Sequence, residues 1–283
     1  MSGKPHKISD VLSRIGQSHI ALLGAVVILV LLLFVWWQAS LVYQDHLLEG
    51  QQAQVEMQLI SYGAALTNQV NLHLSHLKGL EAFAQANPTE NELDANFESF
   101  ASGLYFGTSV VRSIQLFPTF TEVYVYPVSG NEAVVGRNLD DLINDERPQV
   151  RIDVQRTIQT QEVAISGPYE LRQGGFGMVF RQSVYLNDSL WGMAVLVFDV
   201  HPLLHEAGLD TSSENLNMVL SDGSGQILVG SNDTLLMVPM TYFVDLPEGG
   251  WELAAVPVGG WSASIEEPLD IFKKSGLVIV FLL

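Results

Sequence analysis

The sequence predicts an α+β chain: a transmembrane helix continued by a long stalk helix, then two tandem antiparallel-sheet domains. Three observations carry this. Residues 20–37 hold no charge, and no proline falls between Pro5 and Pro88. After Pro88, short runs rich in Val, Ile, Tyr and Phe alternate with turns of Gly, Asn and Pro.

Residues 1–19 form a tail with Lys4, Lys7 and Arg14 against Asp10. Ile20–Trp37, as a helix about 27 Å long, matches a bilayer core, and Trp36-Trp37 suits its interface. A cleaved signal peptide would have a shorter apolar stretch ending in small residues, so an uncleaved anchor is the better reading. The positive tail before it and the acidic chain after it place the N-terminus in the cytoplasm. The globular part then faces the periplasm from a bacterial inner membrane. At the far end Gly276–Leu283 is apolar. We expect a second transmembrane helix to start across residues 275–283 in a truncated chain, against the alternative of an apolar tail packed on the domain.

Residues 38–87 read as the stalk helix. Its apolar side runs through Leu48, Gln52, Val55, Leu59, Tyr62, Leu66, Val70, His73, Leu77, Leu80 and Ala84. Steps of three and four, with one phase shift at Leu66–Val70, predict a packing seam. The seam joins two chains in a homodimer or packs the helix on its own domain. Interruptions at Gly50, Gly63 and Gly79 weaken a coiled-coil reading, and periodicity alone leaves both open.

Asn87-Pro-Thr-Glu-Asn-Glu closes the stalk and caps a helix with Phe97 and Phe100 inward. Strands are predicted at Val110–Phe117, then at Glu122–Pro127 and Glu132–Val135 around a Ser129-Gly-Asn turn. One helix is expected over Asp141–Thr160, then strands at Glu162–Gly167, Met178–Tyr185 and Trp191–Val200. This order describes a PAS-like antiparallel sheet over residues 88–203. Residues 204–265 repeat it in miniature, with strands at Met218–Ser221 and Gln226–Val229 around Asp222-Gly-Ser-Gly, then Met240–Leu246 and Trp251–Val256.

Charge excludes one class of function. The formal net charge is −18, and residues 38–272 hold 30 of the 31 acids but 8 of the 13 bases. So acidic a surface repels nucleic acid. The absence of cysteine excludes disulfides, thiolate metal sites and a Cys nucleophile. No His-Glu-x-x-His, phosphate-binding Gly-x-x-x-x-Gly-Lys or Gly-x-Ser-x-Gly is present. No catalytic residue, metal site or cofactor is therefore expected. His201 and His205, four apart beside Glu206, lack a third ligand in the pattern and are left as linker residues.

The ordered motifs Val111-Arg-Ser-Ile-Gln-Leu-Phe-Pro118, Tyr126-Pro-Val-Ser-Gly-Asn-Glu132, Gly136-Arg-Asn-Leu-Asp140, Ser166-Gly-Pro-Tyr-Glu-Leu171, Gln173-Gly-Gly175 and Trp191-Gly192 resemble those of a CHASE domain. Leu246-Pro-Glu-Gly-Gly-Trp-Glu-Leu253 and Gly260-Trp261 resemble the proximal half of bacterial members. The resemblance implies the extracytoplasmic sensor of a receptor, two tandem PAS-like domains with the distal one holding a small ligand. It also implies a cytoplasmic output module, a diguanylate cyclase or histidine kinase, beyond this chain. Asp140 matches the acidic position that recognises ligand in cytokinin-binding members, and Ser166–Leu171 the strand closing that pocket. Ser183 departs from the family, which usually has proline there. A ligand-free anchoring or partner-binding stalk is a second reading, and a periplasmic hydrolase a third.

The candidate ligand-binding residues are Asp140, Tyr124, Tyr126, Arg112, Ser166 and Leu171. Strand alternation places Tyr124 and Tyr126 on one face, where they either line a pocket or pack in the core. It places Arg112 on the face of Ile114 and Leu116, where a charge needs a partner and a structural ion pair is the preferred role. Six of the eight bases within residues 38–272 cluster from Arg137 to Arg181. They either hold a carboxylate or phosphate, or pair with nearby Asp141, Asp145, Glu146 and Asp153 on a solvated helix face. The second account is preferred for Arg147, Arg151 and Arg156.

Overall fold

The computed structural model describes residues 6–106, 109–209, 215–223, 225–246 and 249–282. Residues 1–5 of the tail, Ser224 and Pro247-Glu248 of the two proximal turns, and Leu283 lie outside the described residues. The chain divides into two compact units, Glu56–Ala255 and Met1–Val55 with Val256–Leu283.

Helix α1 (His6–Ala86) runs 81 residues without a break, as a proline-free sequence allows. Among the described residues it alone is long and apolar enough to cross a membrane, from Leu22 onward. In the larger unit its seam is buried: Leu59, Leu66, Leu77, Leu80 and Ala84 are fully inaccessible within one chain, and Val70 and His73 nearly so. The helix therefore packs on its own domain through the face that the periodicity singled out. Gly63 is mid-helix, where glycine costs about 1 kcal/mol relative to alanine. The Tyr242 ring occupies the space its Cβ would need.

After α2 (Glu90–Tyr105), capped by Thr89 and Glu92, come β1 (Val111–Pro118) and β2 (Tyr124–Tyr126). Next are α3 (Leu139–Ile143) and α4 (Pro148–Thr160), then β3 (Ala164–Glu170), β4 (Phe176–Leu186) and β5 (Ser189–Asp199). The strands form one antiparallel sheet in the order β2-β1-β5-β4-β3. After α5 (Val200–Glu206), strands β6 (Leu216–Ser221) and β7 (Ile227–Val229), helix α6 (Asn232–Leu235), and strands β8 (Met240–Asp245) and β9 (Gly250–Pro257) form a second sheet, β7-β6-β9-β8. The α+β class and the tandem antiparallel sheets are as the sequence predicts.

Two local expectations fail. Glu132–Val135 is no strand: Glu132–Val134 is a 3-10 turn, its start held by Asn131, which is buried and donates to the Arg112 and Pro127 carbonyls. The single helix expected over Asp141–Thr160 is two. Pro148 cannot donate to the carbonyl four residues back, so α4 restarts there with proline in its first turn.

The first sheet is covered on both sides. Gln115, Phe117, Val179, Arg181, Val195 and Val197 face α3 and α4. The alternating residues face α1, where His73 lies 4.7 Å from Phe198. At Ser183 the backbone N–H donates to Thr157 Oγ1 and the hydroxyl to the Thr157 carbonyl. A proline could not supply the first bond, so the departure from the family pattern ties β4 to α4.

In the smaller unit, α7 (Gly260–Leu282) contains Pro268 and starts well before the apolar residues 275–283. Phe272 stacks on Tyr43 at 4.3 Å. Gly276 lies so close to the Trp36 indole that a Cβ would overlap it.

Candidate functional site

Between the first sheet and α3–α4 lies a recess of about 40 Å³. Its apolar wall belongs to the core formed by Phe117, Leu139, Leu142, Val150, Val154 and the facing strand residues. Its polar wall is built of Arg137, Arg147, Arg172 and Arg181, with Gln115 and Tyr169.

Arg181 sits at the floor, 3 % exposed, in the middle of β4. Nη1 donates to Ser166 Oγ at 2.6 Å and Nη2 to Tyr169 Oη at 2.8 Å, while buried Nε has no partner. Ser166 in turn donates to Asp153 Oδ2, and Asp153 is held by Gln149 and Arg156. Asp145, which bonds to three of the lining arginines, is fully buried. Its Oδ1 accepts from Arg147 Nε at 2.9 Å and its Oδ2 from Arg147 Nη2 and Arg172 Nη2, both at 3.1 Å, with Arg137 at 3.5 Å. Burial alone would raise the Asp145 pKa, but the hydrogen bonds and charge of Arg147, reinforced by Arg172, hold it well below the usual carboxylate range. Burial and the neighbouring Arg172 charge lower the Arg137 pKa, against the pull of Asp145. Arg147 also lies 5.7 Å above the Tyr169 ring.

The structure divides the sequence-derived candidates. Leu171 lines the recess and Ser166 supports its floor. Tyr124 and Tyr126 pair with Leu116 and Ile114, which places them on the opposite face of the sheet. Tyr124 donates to Asp94 at 2.7 Å and packs on Phe97; its pKa is raised, first by burial and then by the Asp94 bond. Tyr126 meets Tyr105 edge-on. Both are packing residues of α2. Arg112 breaks the expected alternation, because a bulge falls between Val111 and Ser113. It pairs with Asp199 at 3.0 Å and donates to the Gln173 carbonyl, a structural role. Asp140 is exposed on α3 in a separate surface depression with Thr119, Glu122 and Asn138. The cap there is Asn138, paired with Asp141.

Arg147 does pair with nearby Asp145, as expected, but not on a solvated helix face: it precedes α4 and lines the recess. Arg156 does pair along the helix with Asp153. The local excess of arginine is visible in the sequence, but α3–β4 topology decides which of them converge on the recess. His201 and His205 line a larger surface depression of about 420 Å³. No group of three or more potential metal ligands occurs among the described residues.

The CHASE domain model matches residues 73–234, more than half of the chain. No curated protein matches. Among solved structures, the ligand-binding domain of the Pseudomonas fluorescens chemoreceptor CtaA, in complex with L-serine, has a TM-score of 0.56 at 11% identity, covering 75% of this chain and 99% of that one. The sensory domain of the Campylobacter jejuni chemoreceptor Tlp3 has a TM-score of 0.55 at 14% identity, covering 76% and 97%. The ligand-binding domain of the Pseudomonas aeruginosa chemoreceptor PctC, in complex with GABA, gives 0.53 at 11%, covering 72% and 98%. At such identity these structures establish a shared fold, and the family follows from the sequence match: the chain belongs to the CHASE domain family.

Proposed function

We propose that this chain is the sensory part of a transmembrane receptor that binds a small molecule in the recess beneath α3 and α4. Binding biases the arrangement of α1 and α7, and a cytoplasmic output module of the diguanylate cyclase or histidine kinase type reads the change. The carrying observation is Arg181, which lines the recess with both Nη atoms hydrogen-bonded while its buried Nε has no partner. An unmet buried donor is costly, and a ligand acceptor relieves it. The chemoreceptor domains of the same fold, in complex with GABA and with L-serine, support a small-molecule ligand. We read the chain as a sensor and not an enzyme.

The membrane arrangement belongs to the same proposal. The basic tail supports a cytoplasmic N-terminus, and the close pairing of Gly276 with Trp36 supports a second span beside the first. The receptor is a homodimer in this reading. With the seam buried in its own chain, the exposed α1 residues Met57, Ile60 and Leu72 are the surface available to a second copy.

Thermal shift of the full chain in detergent against a broad library of small metabolites tests the function. A compound that raises the melting temperature of the wild type, but not of Arg181→Lys, is expected. Failure of every compound would leave the ligand-free stalk as the better account. A phosphatase reporter fused after residue 100 is expected to be active in the periplasm, and one before residue 15 inactive; the reverse pattern would overturn the orientation.

A further inference from the structure

The recess carries its own specification of ligand, given that it is the sensory site proposed above. Its charge comes first. Four arginines line it, Arg137, Arg147, Arg172 and Arg181, and the two buried carboxylates bonded to this network are Asp145 and Asp153. Both are already engaged on each oxygen. Asp145 takes Arg147, Arg172 and Arg137. Asp153 takes Gln149 and Arg156 on Oδ1 and Ser166 on Oδ2. Exposed Glu146 shares Arg172 at 3.2 Å. The positive charge left for an incoming anion therefore centres on Arg181, whose direct partners Ser166 and Tyr169 are neutral. An incoming ammonium group meets four guanidinium groups and no unengaged buried carboxylate.

Size comes second. A cavity of about 40 Å³ corresponds to roughly three or four water-sized volumes. A ligand held wholly within it is smaller than a purine base or a long side chain. Hydrogen bonding comes third. The buried unpartnered atom, Arg181 Nε, is a donor, and the apolar wall of Phe117, Val195 and Val197 beside it asks for carbon.

We infer that the recess takes a short carboxylate without an amino group, of about two to four carbons, whose carboxylate accepts from Arg181 Nε while its carbon end rests on Phe117, Val195 and Val197. This separates the chain from the neighbouring chemoreceptor domains crystallised with L-serine and GABA.

The test is calorimetric titration of the full chain in detergent with three matched sets. These are acetate, propionate, lactate and pyruvate; glycine and alanine; and acetamide and propionamide. Inorganic phosphate is the tetrahedral control. At least one carboxylate is expected to bind. Its amide is expected to bind about tenfold to hundredfold more weakly, for loss of a charge-assisted hydrogen bond, and the amino acids at least as weakly. Arg181→Lys keeps the charge but removes Nε, and is expected to lose most of the affinity. Val195→Leu fills the recess without touching a charge and is expected to abolish binding, with a cooperative melt showing that it folds.

Tighter binding of the amino acids, the amides or phosphate would overturn the carboxylate assignment and leave the sensor reading standing. Carboxylate binding that survives both substitutions would move the site elsewhere. If no carboxylate binds but another library compound does so in an Arg181-dependent way, only the ligand class falls. If nothing binds at all, the sensor reading falls with it.

Discussion

Asp145 and Arg147 are joined two residues apart by a side-chain fork, Arg147 Nε to Oδ1 at 2.9 Å and Nη2 to Oδ2 at 3.1 Å, while Arg147 N also donates to Oδ1. The carboxylate is fully buried, so its charge is what holds Arg147, Arg172 and Arg137 together. Asp145→Asn is expected to destabilise the fold by about 3–5 kcal/mol, since it leaves arginines uncompensated. Denaturant melts of the two proteins measure this. With the folded pKa depressed, the carboxylate contributes stability above the ordinary carboxylate range and loses it as pH falls below about 4. Asp145→Asn should remove that part of the acid sensitivity.

His73 gives a second pH dependence in a higher window. Its ring is 1 % exposed against Phe198, and neither nitrogen has a partner. Burial first, then the neighbouring His76, lowers its pKa to about 4, against a smaller opposing effect of Glu206. Below the unfolded value of about 6.5 the unfolded chain takes up a proton that the folded chain refuses. Stability is therefore full above that pH and falls between about 6.5 and 4, by up to about 3 kcal/mol. His73→Leu should flatten this slope in a series of melts, and an unchanged slope would place the titrating group elsewhere.

Helix α1 offers two faces for cross-linking. Leu59 and Leu66 are fully buried within the chain, whereas Met57, Ile60 and Leu72 are exposed. Single cysteines at Met57, Ile60 and Leu72 are expected to form disulfide-linked dimers in membranes, and cysteines at Leu59 and Leu66 to form few. Efficient cross-linking at Leu59 and Leu66 would mean that the seam joins two chains after all.

Gly276 sets the approach of α7 to α1 in the smaller unit. A short bifunctional maleimide is expected to join Tyr43→Cys to Phe272→Cys readily within one chain, since the native rings at these positions stack at 4.3 Å. Adding Gly276→Leu should slow it markedly, because the new side chain overlaps the Trp36 indole. The yield of intramolecular cross-link, read by mass spectrometry, measures the difference.

Composition and periodicity alone determined the apolar span, the unbroken α1, the face of α1 that carries its seam, and the strands of both sheets in order, with Glu132–Val135 wrongly added to them. These follow from local chemistry: backbone hydrogen bonding without proline, and the alternation of side chains along a strand. The same alternation misled at the site. Tyr124 and Tyr126 do share a face, but which face looks toward α1 and α2 and which toward α3 and α4 depends on how the sheet is covered. One bulge before Ser113 was enough to turn Arg112 away. The arginine excess was visible along the sequence, whereas its convergence was not. Arg137, Arg147, Arg172 and Arg181 come together because the sheet order places β4 beside β5 and β3, and α3–α4 fold back over them. Only tertiary structure could leave Arg181 Nε buried without a partner, because that depends on the distances to Ser166 and Tyr169 across paired strands.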